Sequence, residues 1–215
     1  MLDFGFPEGP IDAKLYFVGD CWSLKDAIYK KPFQGTVGYL LNNTLSNVGF
    51  TREKCRLNNL VNIQPMNSDF ETLSSDIINQ GILELVEDIK RVKPNLIVCL
   101  GKHPMKYLSS CEGLDAWRGT VTWSETLGCK ILFTYHPEYV LKDWAVFPLF
   151  LFDLQKAVKE SQFLEYKKLE REIVVAPTYD MVIAYLESLG KTAEYLSIDL
   201  ETETNEELQV TYMKC

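Results

Sequence analysis

Long apolar runs are missing from this chain. None approaches the roughly 18 residues that a membrane-spanning helix needs, and the opening residues Met1, Leu2, Asp3 and Phe4 carry neither a basic start nor an apolar signal core. A membrane span and secretion are therefore not expected, and the chain is assigned to the cytoplasm. Six cysteines stand at 21, 55, 99, 111, 129 and 215 with no CxxC pair and no Cys/His ligand spacing. That removes support for zinc, an iron-sulfur cluster or a disulfide framework, and reduced thiols are expected. Positive charge is short: 22 Lys and Arg face 30 Asp and Glu, a net charge of -8, which argues against a protein that wraps nucleic acid by bulk electrostatics. There is no low-complexity tract, and 47% hydrophobic residues with 24% charged exclude collagen-like and disordered classes.

What is present fits one full-sized domain and a remainder too short for a second ordinary core, since the chain has 215 residues. The charge follows this division: residues 1–164 carry net -2 and residues 165–215 net -6, so a local basic face on the body remains open.

Residues 14–19 (KLYFVG) read as a buried strand that ends in Gly19 and Asp20. Residues 36–48 place Val37, Leu40, Leu41, Thr44, Leu45 and Val48 at helical spacing, with Gly49 as the stop. Residues 57–61 form a second strand, 73–92 a long amphipathic helix capped by Ser74 or Ser75, 95–100 a third strand after Pro94, and 130–134 a fourth; a helix follows over about 146–170. Strands alternating with helices, and apolar throughout, predict an α/β fold: a three-layer, open, mostly parallel sheet covered on both faces. In such sheets ligands gather where strands end. Asp20, Asn59 and His136 each lie at or near such an end.

Past residue 165 the pattern restarts: a charged helix end or linker at 165–172, a strand at IVVA (173–176), a helix closed by Gly190, and a strand in EYLSIDLETET. A βαβ piece this short cannot bury both faces of its sheet, so the chain is expected to be the front part of a longer polypeptide.

Between Gly19 and Gly35 the chain reads GDCWSLKDAIYKKPFQG, with carboxylates at Asp20 and Asp26 and an aromatic, Phe33, between Pro32 and a Gly-bearing turn. Asp20 either caps a turn or positions a water; Phe33 either fills core or forms a stacking floor for a flat ring. Asn59, in RLNNLVNIQP, offers the donor and acceptor that read a pyrimidine edge, or serves plainly at a strand end. His136, in FTYHPEYVLK, stands where its ring can donate to an oxygen gathering negative charge. His103, in GKHPM at a helix start, is the competitor and the weaker choice.

These segments, in this order, resemble the uracil-DNA glycosylase superfamily, most closely its family 4 and phage-type members. The family's Gly-Glu-Ala-Pro-Gly followed by Pro-Phe-Val-Gly is similar to Gly19-Asp20-Cys21-Trp22-Ser23 followed by Pro32-Phe33-Gln34-Gly35. Its Asn-Val-Val before Pro is similar to Asn59-Leu60-Val61 before Pro65, and its strand ending in Leu-Gly to Leu96–Gly101. Its His-Pro-Ser-Tyr-Leu-Leu-Arg type motif is similar to His136-Pro137-Glu138-Tyr139-Val140-Leu141-Lys142. The resemblance covers residues 14–160 and implies hydrolysis of the N-glycosidic bond of uracil, or a related modified pyrimidine, in DNA. It implies that Phe33 stacks on the extruded base, Asn59 binds its edge, His136 stabilises charge on O2, and Asp20, in place of the family's Glu, orients water or stabilises the sugar cation. Gly19, Cys21 and Trp22 complete the substrate-binding motif; Tyr139 and Leu141 enter the duplex, and Lys142 meets phosphate. Asp20 is one methylene shorter than Glu and Cys21-Trp22 replaces Ala-Pro, which keeps open an inactive uracil-sensing or DNA-docking module. Family 4 enzymes carry four iron-sulfur cysteines; here the N-terminal pair is missing and Ile63 stands where a motif cysteine belongs, so no cofactor is expected in this domain. A flavodoxin-like small-molecule binder would need a phosphate-cradling Gly-rich loop after the first strand, and GDCWS is not one.

Ser197-Ile198-Asp199-Leu200-Glu201-Thr202 resembles the first motif of the 3'-5' exonuclease domain of DNA polymerases, an RNase H-like fold. On a strand, Asp199 and Glu201 face the same way and present two carboxylates to divalent metal such as Mg. The resemblance implies residues 1–164 as a glycosylase-like domain, 165–172 as linker and 173–215 as a truncated exonuclease start. It implies the N-terminal part of a phage-type polymerase, monomeric, in a host cytoplasm if phage-encoded. No nuclease activity is expected without the remaining carboxylates.

Overall fold

The apolar runs become the strands of one sheet in the computed structural model, which describes residues 5–166, 177–192, 202–205 and 210–213. The chain divides into two compact units, Met1–Lys167 and Lys168–Cys215.

In the first unit the strands are β1 (Leu15–Cys21), β2 (Cys55–Val61), β3 (Leu96–Leu100), β4 (Val121–Ser124) and β5 (Cys129–Thr134), in the order β2-β1-β3-β5-β4. β1 pairs in parallel with β2 and β3, and β3 with β5. The expected parallel sheet is present. The sequence reading missed β4, an antiparallel edge strand paired with β5; it is four residues long and half-buried throughout, too short to show a period.

Both faces are covered, which is why β2, β3 and β5 are buried along their whole length. On one face Tyr16, Val18, Ile97, Cys99, Ile131 and Phe133 pack under α3 (Ser75–Val92) and α4 (Lys102–Leu108). On the other, Leu15, Phe17, Leu57, Val98, Leu100 and Leu132 pack under α2 (Gly35–Asn47), α6 (Pro137–Lys142) and α7 (Phe147–Glu160). Two short helices, α1 (Leu24–Tyr29) and α5 (Leu114–Trp117), follow β1 and α4 in the chain.

Ser74 accepts from the amide of Ile77 and caps α3. The helix expected to run to residue 170 stops at Glu160. There Ser161 Oγ and Gln162 Nε2 donate to the Val158 carbonyl, and Asn95 Nδ2 donates to the Ser161 carbonyl at 2.8 Å, so helix-end acceptors find partners without another turn.

Charges inside the layers are paired. Asp88 on α3 accepts from Arg56 Nε and Nη2 (2.9 and 2.8 Å), from Tyr16 Oη (2.6 Å) and from Arg91. Burial raises its pKa, and those bonds outweigh burial and hold it below the usual carboxylate value. Asp153 on α7 accepts from Arg118 (2.8 Å) and Thr134 (2.7 Å).

The second unit contains α8 (Tyr179–Thr192), β6 (Thr202–Asn205) and β7 (Val210–Met213), with β6 antiparallel to β7. The strand expected at 173–176, and the residues Asp199 and Glu201, lie outside the described residues.

Candidate active site

The parallel strands end together, and the loops that follow them form one cleft. It has a volume of about 350 Å³ and is lined by Asp20 and Cys21 at the end of β1, Phe33 from the loop before α2, Asn59 near the end of β2, and His136 at the start of α6. The four residues to which the sequence assigns stacking, edge reading and charge stabilisation therefore share one wall-to-wall space.

Gly19 makes that sharing possible. A Cβ on it would lie 2.5 Å from Asn59 Oδ1 and 2.8 Å from the Phe33 ring, so only hydrogen lets both side chains close over the β1 backbone. Asn59 is 2% exposed and its Nδ2 has no partner. Its main-chain amide donates to Asn58 Oδ1 at 2.9 Å, while Asn58 Nδ2 donates to Tyr16 Oη at 2.9 Å. Through Tyr16 the strand end is tied to Asp88. An unpaired buried amide beside a cleft is a group prepared for a ligand.

Phe33 adopts φ +51, a left-handed conformation costly for a bulky residue. Its loop is held from both sides. Asp26 accepts from the Gln34 amide (2.6 Å) and from the Ser23 amide and hydroxyl (both 2.8 Å). Arg52 donates to the carbonyls of Phe33 (3.2 Å) and Pro32 (2.7 Å) while its Nε and Nη2 meet both oxygens of Glu8 (3.0 and 2.8 Å). Sequence reasoning placed Asp26 beside Asp20 as a second loop carboxylate; it anchors the loop. It missed Arg52 entirely, because nothing local marks an arginine nineteen residues away as a loop clamp.

His136 caps α6: its Nδ1 accepts from the Glu138 amide at 3.2 Å. The neutral ring must then carry its proton on Nε2. Burial pulls its pKa below the ordinary histidine value, against the opposing pull of Asp20, Glu138 and Asp26, so the neutral donor is the resting form.

Asp20 Oδ1 is buried without a partner, and its Oδ2 lies 3.0 Å from His103 Nδ1. The lesser candidate among the two histidines is thus beside the carboxylate. Cys21 lines the cleft, with Sγ 3.9 Å from the Ser68 carbonyl; burial, then Asp20, push its thiol up to about 12, so it is a neutral thiol. Trp22 does not line the cleft. It is buried, its amide donates to the Ile63 carbonyl, and its ring covers Gly5, where a Cβ would sit 1.6 Å away. Tyr139 and Leu141 are exposed on α6, and Lys142 is at the cleft rim with Glu138 2.7 Å from its Nζ. A larger cleft of about 510 Å³ opens beside Tyr107, Cys111 and Trp123, and no motif residue reaches it.

The profile of the uracil DNA glycosylase superfamily matches residues 6–160, most of the chain. The chain belongs to that superfamily. Curated relatives are similar to it over the same body. A type-4 uracil-DNA glycosylase of Saccharolobus solfataricus is 32% identical over 143 residues, 62% of this chain and 65% of the relative. One of Archaeoglobus fulgidus is 29% identical over 136 residues, 60% and 67%, and one of Thermotoga maritima 27% identical over 139 residues, 63% and 70%. The chain thus spans about two thirds of the length of these relatives.

The described cysteines do not fit the iron-sulfur cluster carried by family 4 enzymes. Cys55, Cys99 and Cys129 are buried in three different strands. Among the described residues no group of three His, Cys, Asp or Glu is placed to hold a metal ion. Ile63 is packed into the core.

Proposed function

We propose that this superfamily member hydrolyses the N-glycosidic bond of uracil, or a related modified pyrimidine, in DNA. The observation that carries the reading is one cleft holding an aromatic wall, Phe33, with two buried polar atoms that lack partners, Asn59 Nδ2 and Asp20 Oδ1. A base inside the duplex stack is out of reach, so the target nucleotide is extruded. The few kcal/mol of unstacking are offset by about 1–3 kcal/mol of stacking on Phe33 together with edge contacts to Asn59. Tyr139 and Leu141 fill the gap left behind, and Lys142 meets phosphate. The C1'–N1 bond breaks with its electron pair passing to the base, where charge gathers on O2 opposite His136 Nε2–H. Asp20 opposes the positive charge on the sugar and orients the water whose oxygen bonds to C1' and whose proton is released to the carboxylate or solvent. The names of the relatives support this reading.

The test is release of uracil from single- and double-stranded oligonucleotides at low salt. Asp20→Asn is expected to lower the rate by at least about 100-fold, and His136→Ala by about 100- to 1,000-fold. Asp20, one methylene shorter than the family's Glu, and Trp22, turned onto Gly5 and away from the cleft, favour a second reading, a non-catalytic uracil sensor. It is adopted if the folded parent releases no base yet binds uracil DNA in a manner weakened by Phe33→Ala. Neither release nor binding overturns both.

For residues 173–215 the proposal is the beginning of a 3'-5' exonuclease domain of a longer, monomeric polymerase-like polypeptide, with Asp199 and Glu201 as divalent-metal ligands. Its support is the sequence motif together with the antiparallel β6–β7 pair. A polypeptide carrying the completed domain is expected to degrade primer ends with Mg, and Asp199→Ala to abolish that.

A further inference from the structure

His103 is held on three sides. Its Nδ1 is 3.0 Å from Asp20 Oδ2, its Nε2 is 2.8 Å from Glu71 Oε1, and its ring stacks on Phe70 with centroids 4.4 Å apart and planes 26° apart. Its side chain is 12% exposed. Carboxylate oxygens only accept, so both ring nitrogens satisfy their neighbours only when both carry protons, which is the imidazolium form. The Nδ1 contact is a close charge pair whose alignment falls short of a hydrogen bond, as befits a group that tightens when substrate fills the cleft. Asp20 is thereby fixed through one oxygen, and the other, Oδ1, stays buried and free of partners within the cleft lining.

We infer that His103 is a positioning residue for Asp20, and that with Glu71 behind it, it makes excision depend on a proton held outside the reacting atoms. The inference rests on the excision reading for what Asp20 does, and on geometry alone for the pairing. Burial lowers the His103 pKa, and the contacts with Asp20 and then Glu71 outweigh burial and raise it. Lys102 on the same helix opposes them. Lys102 also lies 3.3 Å from Glu71 Oε1 and competes for that oxygen. The other titratable groups bordering the ring are Asp69 beside Phe70, Cys21 and His136 across the cleft, Asp26, Glu138 and Lys142 farther along it, and Lys106, Tyr107, Cys111 and Glu112 on the outer side. Asp20 and Glu71 are the two within contact distance of the ring nitrogens.

A raised histidine value means the charge is present below it and lost as pH rises through it. Above that point one of the two contacts lapses and Asp20 loses its fixed orientation, so the rate has an alkaline limb set by His103. His103→Gln is expected to remove the limb and to lower kcat by about 10- to 100-fold with KM little changed, the penalty for a misplaced group. Glu71→Gln, at an exposed position where folding is not at stake, is expected to move the limb to lower pH without removing it.

The experiment pairs the pH profile of uracil release with an NMR titration of the two histidines in the parent, Asp20→Asn and Glu71→Gln. Support is a His103 titration above the ordinary histidine value that falls in both variants, together with the matching shift of the limb. A His103 that titrates at the ordinary value and ignores Asp20→Asn overturns the pairing. A coupled titration with an alkaline limb unchanged in His103→Gln overturns the positioning role. A parent that releases no uracil but shows the coupled titration overturns the excision reading and supports the pairing.

Discussion

The chain's two histidines stand on the same cleft and are driven in opposite directions, His103 up by carboxylates and His136 down by burial. Opposed shifts in one site separate roles: a charged positioning group and a neutral hydrogen-bond donor. The His136 shift has a consequence for folding. A depressed histidine value means that the unfolded chain takes up the proton first, so stability falls as pH drops from about 6.5 toward the depressed value and levels off below it. His136→Gln keeps a donor and a cap acceptor but does not titrate. Denaturant melts at stepped pH are expected to show the parent losing stability relative to His136→Gln on the acid side of neutrality; parallel curves would mean that His136 is not held neutral. Sequence alone marked His136 through its place after a strand and before Pro137. It ranked His103 second for its place at a helix start; the carboxylates that elevate it, Asp20 first and then Glu71, meet it only in the folded chain, Glu71 from a short 3-10 turn, Phe70–Thr72, that no periodicity announces.

At the scale of elements, the loop from Pro32 to Gly35 is strained, as are Asn67 and Ser68 on the same cleft. Phe33 holds a left-handed backbone, and Gly38 on α2 must be glycine for the same loop, since a Cβ there would lie 1.9 Å from the Phe33 carbonyl. Arg52 keeps the strain in place with bonds to two loop carbonyls, to Glu8 and to Asn42 Oδ1 at 3.3 Å. Arg52→Met retains the stem but removes every one of these bonds. Stability is expected to fall by about 2–3 kcal/mol, the worth of charged hydrogen bonds left unmade, and uracil release to fall by at least about 10-fold as Phe33 relaxes. Thermal melts and steady-state rates check both, and a variant that melts lower yet releases uracil at the parent rate would show that the clamp serves folding alone. The motif residues Phe33 and Asn59 were legible because their signals are local: an aromatic in a Pro/Gly loop and an amide at a strand end. Trp22 was misread for the same reason. It is adjacent in sequence to Asp20 and Cys21, yet its ring turns to Gly5, a contact that only the folded chain makes.

For the whole molecule, the parallel sheet and its two covering layers were legible because uniformly apolar strands leave no other way to bury both faces. The sequence placed the end of the body at residue 164, and the stretch leading up to it carries partners of its own. Together the two core clusters draw on residues from Ala13 to Val158, yet the body needs the segment just beyond. Lys130 on β5 is fully buried, and its ammonium donates to the Glu160 carbonyl at 2.8 Å, meets Glu160 Oε2 at 3.1 Å and stands 3.6 Å from the centre of the Phe163 ring. Trp123 on β4 stacks on Tyr166, with ring centroids 6.5 Å apart. A chain ending after Tyr166 keeps every one of these partners. It is expected to unfold in one cooperative step near the parent's temperature and to release uracil at the parent rate. A chain ending after Lys159 leaves a buried ammonium with no carboxylate, carbonyl or aromatic face, and is expected to lose about 3–5 kcal/mol. Lys130→Met in the shorter chain removes the stranded charge while keeping an apolar stem of similar length, and is expected to recover much of that loss. Calorimetry on the three chains decides the matter: equal melting of the two truncated forms would mean that Lys130 reaches solvent once its partners are gone, and that the core clusters alone fix the end of the body.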